Sequence, residues 1–116
     1  MTLKNQELLL KDLCARLPYG VIVKDRNGTH KLTAGNTEFT DLLYNGKCNI
    51  RPHLFPLSSM TEEQKKEYKQ FLIDIDGYAY SIDCVPQIDW LNKNHFDYRG
   101  LIEKGLAIDA TGLNIY

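Results

Sequence analysis

Cysteine is scarce in this 116-residue sequence: Cys14, Cys48 and Cys84 are an odd number, widely spaced, with no C-x-x-C pair. That excludes a redox or zinc pair and leaves an expectation of three reduced thiols packed as small hydrophobes. Long apolar runs are missing too. No segment approaches membrane-spanning length, and the N-terminal "MTLKNQELLLKDLCARLP" breaks its apolar run at Lys11 and Asp12 and lacks a small-residue cleavage site. The expectation is therefore no signal peptide, no membrane association and a cytoplasmic location. An excess of positive charge is also lacking. The net charge of −1 speaks against a sequence-independent nucleic-acid binder, which needs a clear surplus of lysine and arginine.

The common signatures of chemistry are absent as well. There is no P-loop, no G-x-G-x-x-G, no G-x-S-x-G and no cysteine beside a histidine. His30, His53 and His95 have no histidine or cysteine partner at ligand spacing, and Cys48 with His53 matches no zinc pattern. "DIDG" at Asp74–Gly77 lacks the remaining ligands of a calcium loop and reads as a hairpin turn. Ser58 and Ser59 precede a helix, where serines serve as caps. No catalytic residue, metal or cofactor is assigned.

What is present suits one domain spanning residues 1–116, with 43% hydrophobic and 25% charged residues. Charge is uneven: residues 1–72 hold eleven Lys/Arg against eight Asp/Glu, and residues 73–116 hold three against seven. Leu9, Leu10, Leu13, Cys14 and Leu17 fall at helical spacing, which predicts an amphipathic helix over Asn5–Arg16, capped by Asn5 and stopped by Pro18. The period then changes. Tyr19–Val23 is β-rich, and Asn27-Gly28 and Asn45-Gly46 offer two hairpin turns, so an antiparallel meander of three or four strands is expected. Phe39, Leu42, Leu43, Tyr44 and Ile50 would form its apolar face. A meander of this length can close into a barrel-like sheet.

"RPHLFPLSSM", with Pro52 and Pro56, reads as an extended connector. A mostly solvated helix follows, capped through Thr61 and Gln64 or Ser59 and Glu62, with a Glu62–Lys66 pair and its last turn docked through Tyr68, Phe71 and Leu72. "IDIDGYAYSIDCV" alternates as a hairpin around Asp76-Gly77, with Ile73 and Ile75 opposite Asp74 and Asp76. "QIDWLNKNHF" reads as a short helix burying Ile88, Trp90 and Leu91. Asp97 would cap a last helical turn, Tyr98–Lys104, with Gly105 after it. "LAI" can add an edge strand, and "DATGLNIY" is a tail. The sum is an α+β fold: an N-terminal helix, a small antiparallel meander, then two or three short helices.

The richest stretch is "NHFDYRGLI", Asn94–Ile102. His95 could serve as a base, with Asp97 orienting it and Arg99 holding an anion, as in a small hydrolase or anion-binding enzyme. Residues two apart do not share a helix face, so that set needs a turn between His95 and Asp97. The structural reading is favoured: Asp97 caps, His95 and Arg99 satisfy carbonyls, and Phe96 and Tyr98 fill the core. If the region binds a partner, Trp90, His95, Tyr98 and Arg99 are the residues to carry it. A nucleic-acid reading would use the strand aromatics Tyr19, Phe39, Tyr44, Tyr78 and Tyr80 with Lys24, Arg26 and Lys31.

"LLLKDLCARLPYGV" at Leu8–Val21, "LSSMTEE" at Leu57–Glu63 and "DWLNKNHFDYRGLIEKGLAI" at Asp89–Ile108 together resemble a family of short uncharacterised proteins of phages, prophages and mobile elements of gut Bacteroides and related bacteria. The motifs are specific to the family and not to an activity. Residues 22–49 and 73–87 lie outside the resemblance. It implies a setting: a small cytoplasmic protein that acts by binding, its ends a scaffold and its intervening strands turned to the partner. The expected function is a non-enzymatic interaction module for a host or phage protein. A nucleic-acid accessory protein is the less favoured alternative, and no residue pattern defines an oligomeric state.

Overall fold

The structure is a computed structural model and describes residues 2–46, 49–69, 73–75, 78–80 and 85–116. It is an α+β fold. Helix α1 (Leu3–Arg16) leads into a hairpin of β1 (Ile22–Asp25) and β2 (Gly28–Lys31), then helix α2 (Thr37–Asn45) and strand β3 (Arg51–Pro56). Helix α3 (Glu62–Lys69), a short hairpin of β4 (Ile73–Ile75) and β5 (Tyr78–Tyr80), helix α4 (Val85–Lys93), and the two-residue strands β6 (Phe96–Asp97) and β7 (Ile108–Asp109) follow.

The main sheet is mixed and open. Its order is β2-β1-β3-β6, with β7 also on β3; β1 is antiparallel to β2 and β3, while β6 and β7 run parallel to β3. Leu54 O accepts from Ala110 N (2.8 Å) and Phe55 N donates to His95 O (2.8 Å). Successive residues of a strand point their polar groups to opposite edges, so β6 and β7 flank β3 on different sides. The barrel-like closure does not form. The stretch read as a connector is thus the central strand. Its prolines fall near the two ends of β3, each within a pairing of only two residues, Pro52 opposite Val23 and Pro56 opposite Asp97.

Local chemistry explains the other departures from expectation. Helix α1 starts two residues early, because Thr2 Oγ1 accepts from Asn5 N (3.1 Å) and so Thr2 is the cap, not Asn5. Its buried face is Leu9, Asp12, Leu13 and Arg16. Cys14 falls on the other side and is exposed, so it is not a packed hydrophobe. The first Asn-Gly does make a hairpin, shifted by one residue: Asp25 pairs with Gly28, leaving Arg26 and Asn27 as the loop, and Gly28 carries the positive φ of 105°. A type I′ turn with Asn27-Gly28 at its centre is therefore not formed.

The second Asn-Gly ends a helix instead. Asn36 Oδ1 accepts from Phe39 N (2.9 Å), Gly46 closes α2 in the left-handed region (φ 65°), and "EFTDLLY" is helical. The helical period sends Phe39 and Leu42 into the core with Ile50, and leaves Leu43 and Tyr44 exposed. No meander strand occupies these residues.

The capping box at α3 takes the Thr61 register, with Gln64 N on Thr61 Oγ1 (3.2 Å) and Thr61 N on Gln64 Oε1 (2.8 Å), while Ser59 Oγ donates to Pro56 O. Glu62 pairs with Lys65 rather than Lys66. Tyr68 docks the last turn on Trp90 (ring centroids 5.7 Å apart); Phe71 and Leu72 lie outside the described residues. In the second hairpin Ile75 pairs with Tyr78, the register that the expected turn requires. Asp76, Gly77 and the side chains of that strand pair lie outside the described residues, as do Cys48 and Cys84.

Among the described residues two clusters form the interior. Leu9, Leu13, Val21, Val23, Leu32, Phe39, Leu42, Ile50, Leu54, Leu101, Leu106 and Ala107 bind α1, α2 and the sheet into one core. Trp90, Leu91 and Phe96 form a second, with Phe55, Met60, Tyr68 and Tyr98 against it; Trp90 stacks on Phe96 at 5.6 Å. Ile88 of α4, expected inside, is largely exposed, because the helix buries Gln87, Trp90 and Leu91 instead.

Candidate functional site

The polar residues of Asn94–Ile102 are drawn inward, each to a different partner. Asp97 accepts from Leu101 N (2.9 Å) with one oxygen and from Ile102 N (3.0 Å) with the other. It caps a hydrogen-bonded turn over Leu101–Gly105, closed by Leu106 N on Leu101 O (2.9 Å) and by Gly105 at φ 71°, not a helix over Tyr98–Lys104. Both carboxylate oxygens are engaged with backbone, and His95 is not a partner. The His95–Asp97–Arg99 set suited to a small hydrolase is therefore not assembled.

His95 ends α4 in the left-handed region (φ 63°), a strained position for a residue with a side chain. Its ring stacks on Tyr116, centroids 3.7 Å apart and nearly parallel. Burial, with the charge of Arg16 adding to it, pushes its pKa down to about 4, so the ring is neutral near pH 7. Tyr116 is no loose tail. Its hydroxyl accepts from Ile22 N (2.8 Å) and donates to His53 O (2.7 Å), joining β1 to β3, and burial raises its pKa to about 12. Buried His53 adds a bond from Nδ1 to Ile22 O (3.0 Å); a carbonyl only accepts, so Nδ1 carries the proton.

Arg99 and Tyr98 belong to a network that the sequence analysis missed. Asp12, fully buried on α1, accepts from Arg16 Nε (2.9 Å) on one oxygen and Arg99 Nη1 (2.9 Å) on the other. Arg16 also donates to Phe96 O. Both guanidinium groups lie over the Tyr98 ring, 5.3 and 4.5 Å from its centroid, and Tyr98 donates its hydroxyl to Asn92 Oδ1 (2.9 Å). One carboxylate between two arginines in a dry interior is a fastener between α1 and the C-terminal segment. The signal was readable: Asp12 and Arg16 stand four apart on the same stripe as Leu9 and Leu13. Trp90, the fourth binding candidate, is spent on packing, with Nε1 donating to Glu67 Oε2 (3.2 Å). Of Trp90, His95, Tyr98 and Arg99, the structure joins Tyr98 and Arg99 directly and leaves none of the four as an exposed group.

The open concavity lies elsewhere. A cleft of about 860 Å³ is formed between the start of α1, the β1–β2 turn, the entry to β3 and the Leu101–Gly105 turn. Leu9, Ile50 and Leu106 contribute buried apolar surface to it, and exposed Lys24, Arg26, Arg51 and Lys104 line it. Arg26 reaches buried Glu38 at 3.4 Å; among the described residues Lys24, Arg51 and Lys104 take part in no ion pair. Asp25 also lines the cleft, but it is engaged from behind. His30 Nε2 bonds its carboxylate (2.8 Å), and Nδ1 bonds Lys31 O (3.1 Å). Both of these partners only accept, while Asn36 Nδ2, a donor, also approaches Nε2 at 3.3 Å. The same contacts, with the Lys31 carbonyl first, raise the His30 pKa. Burial raises that of Asp25, but hydrogen bonds from His30, Asn36 and Asn27 outweigh it and the net shift is downward.

Among the described residues no group of three or more His, Cys, Asp or Glu side chains is arranged to hold a metal, and no helix is long and apolar enough to cross a membrane. Compared with protein-family models, curated proteins and solved structures, the chain matches none.

Proposed function

We propose that the protein is a non-enzymatic interaction module, of phage or mobile-element origin, that works in the cytoplasm by binding a host or phage protein. One observation carries this reading: Asp97 and Arg99 are committed to internal bonds and the His95 ring is packed away with its buried Nδ1 unpartnered among the described residues, while an open cleft is lined by polar side chains with capacity to spare. Asp97 holds backbone, Arg99 holds Asp12 and His95 is neutral against Tyr116. The cleft draws charged Lys24, Asp25 and Arg26, with Asn49, from the segment outside the family resemblance, and Leu9, Lys104, Gly105, Leu106 and Ile108 from within it. That division suits a shared scaffold with a partner-facing insert.

The test is affinity capture with the tagged full chain from host lysate, with and without phage infection. A stoichiometric protein partner that survives nuclease treatment is expected. Recovery of nucleic acid alone, or no more protein than an acid-unfolded control retains, would sink the reading.

A further inference from the structure

We infer that the cleft is a docking site for an acidic, aliphatic-rich segment of a protein partner, held by Lys24 and Arg51 with Lys104 at the opposite wall. This rests on the interaction-module reading above and names the partner's chemistry. The strongest observation is the register of β1 on β3, which sets Lys24 directly opposite Arg51. Residues paired this way in antiparallel strands have side chains on the same face, within about 5 Å at their Cβ atoms. Two like charges at that spacing repel, and a sheet selected for stability alone places an acid across from a base. Among the described residues no carboxylate answers either one. Val23 and Pro52, the next pair in register, are buried, so the cationic pair sits on the solvent face beside the core.

The rest of the lining narrows the ligand. The four cations suit carboxylates or phosphates equally. Among the described residues the lining contains no aromatic side chain, so single-stranded bases have no platform to stack on there. Half-buried Ile108 and the aliphatic stems of Lys24, Arg51 and Lys104 offer apolar contact that suits aliphatic side chains between the carboxylates, over a floor of buried Leu9, Ile50 and Leu106. Asp25, the acid that lines the cleft among the described residues, is engaged by hydrogen bonds from His30, Asn36 and Asn27.

The closing experiment measures fluorescence anisotropy of a fluorescein-labelled peptide alternating glutamate with leucine, and of an oligo-dT strand of equal length, against the full chain. Wild type is expected to bind the peptide at low salt and to release it as salt rises. Arg51→Glu is expected to weaken it by about tenfold or more. The same substitution turns the Lys24 pair attractive, so its melting temperature holds or rises, which separates lost binding from lost folding. Equal affinity for Arg51→Glu, tighter binding of oligo-dT than of the peptide, or no peptide binding at low salt each overturn the inference. If lysate capture of a protein persists undiminished in Arg51→Glu, this inference falls while the interaction-module reading stands; if capture fails in wild type as well, both fall.

Discussion

Two charged regions of this molecule follow opposite rules. Between α1 and the C-terminal segment, Asp12, Arg16 and Arg99 lie in the interior, with each Asp12 oxygen facing a guanidinium. At the cleft, Lys24 and Arg51 face each other in solvent and repel. Water explains why both can exist. An ion taken out of water must find a partner, since desolvation costs several kcal/mol per charge. An ion left in water is screened, and a mismatched pair costs little. A matched buried network therefore speaks of architecture, and a mismatched exposed pair leaves two cations free for the partner proposed above.

The largest expected effect comes from breaking the matched side. Asp12→Asn leaves two arginines without their counter-ion and should lower unfolding free energy by about 3–5 kcal/mol in urea titration. A loss below about 1 kcal/mol would mean that the network is wetter than its burial indicates.

Acid comes next. The folded pKa of His95, about 4, lies below its ordinary value of 6.5, so the unfolded chain takes up the proton first. Its contribution is whole above pH 6.5 and is lost as pH falls toward 4, about 3 kcal/mol in all. His95→Asn, which tolerates the left-handed backbone, should flatten stability against pH across that window. His30 runs in reverse. Its pKa is raised, so its contribution is present below about 6.5 and fades as pH climbs through the folded value. His30→Gln should remove only that upper slope.

Smaller still is Asp97→Ala, which strips two backbone N–H groups of their acceptor; about 1–2 kcal/mol should be lost by thermal melting. The smallest change, and the one of opposite sign, is Arg51→Glu, expected to stabilise by at most about 1 kcal/mol. A marked destabilisation there would remove the contrast between the two regions.

Local signals were legible where one short stretch decides the outcome. The Thr61–Gln64 capping box, the helix over most of α1, Gly105 closing a turn and the pairing of Ile75 with Tyr78 all depend on neighbours a few residues away. Asn45-Gly46 was misread because the same dipeptide serves a hairpin and a helix end; both need a residue at positive φ, and only Asn36 acting as a cap ahead of it breaks the tie. The candidate site was legible in part. Asp97 as a cap was readable from its spacing to the following turn. The cleft was not, because its lining comes from residues 5 to 108 and no local window holds them together.

By itself, the sequence determined the class of fold, the helical stripe of Leu9 and Leu13, and the turn-forming duty of Asp97, since periodicity and capping are properties of adjacent residues. Tertiary structure alone decided that Arg51–Pro56 would be the central strand, that Asp12 would meet Arg99 across 87 positions, and that Lys24 would stand opposite Arg51. Those outcomes depend on strand register and on burial, which exist only once distant segments share one core.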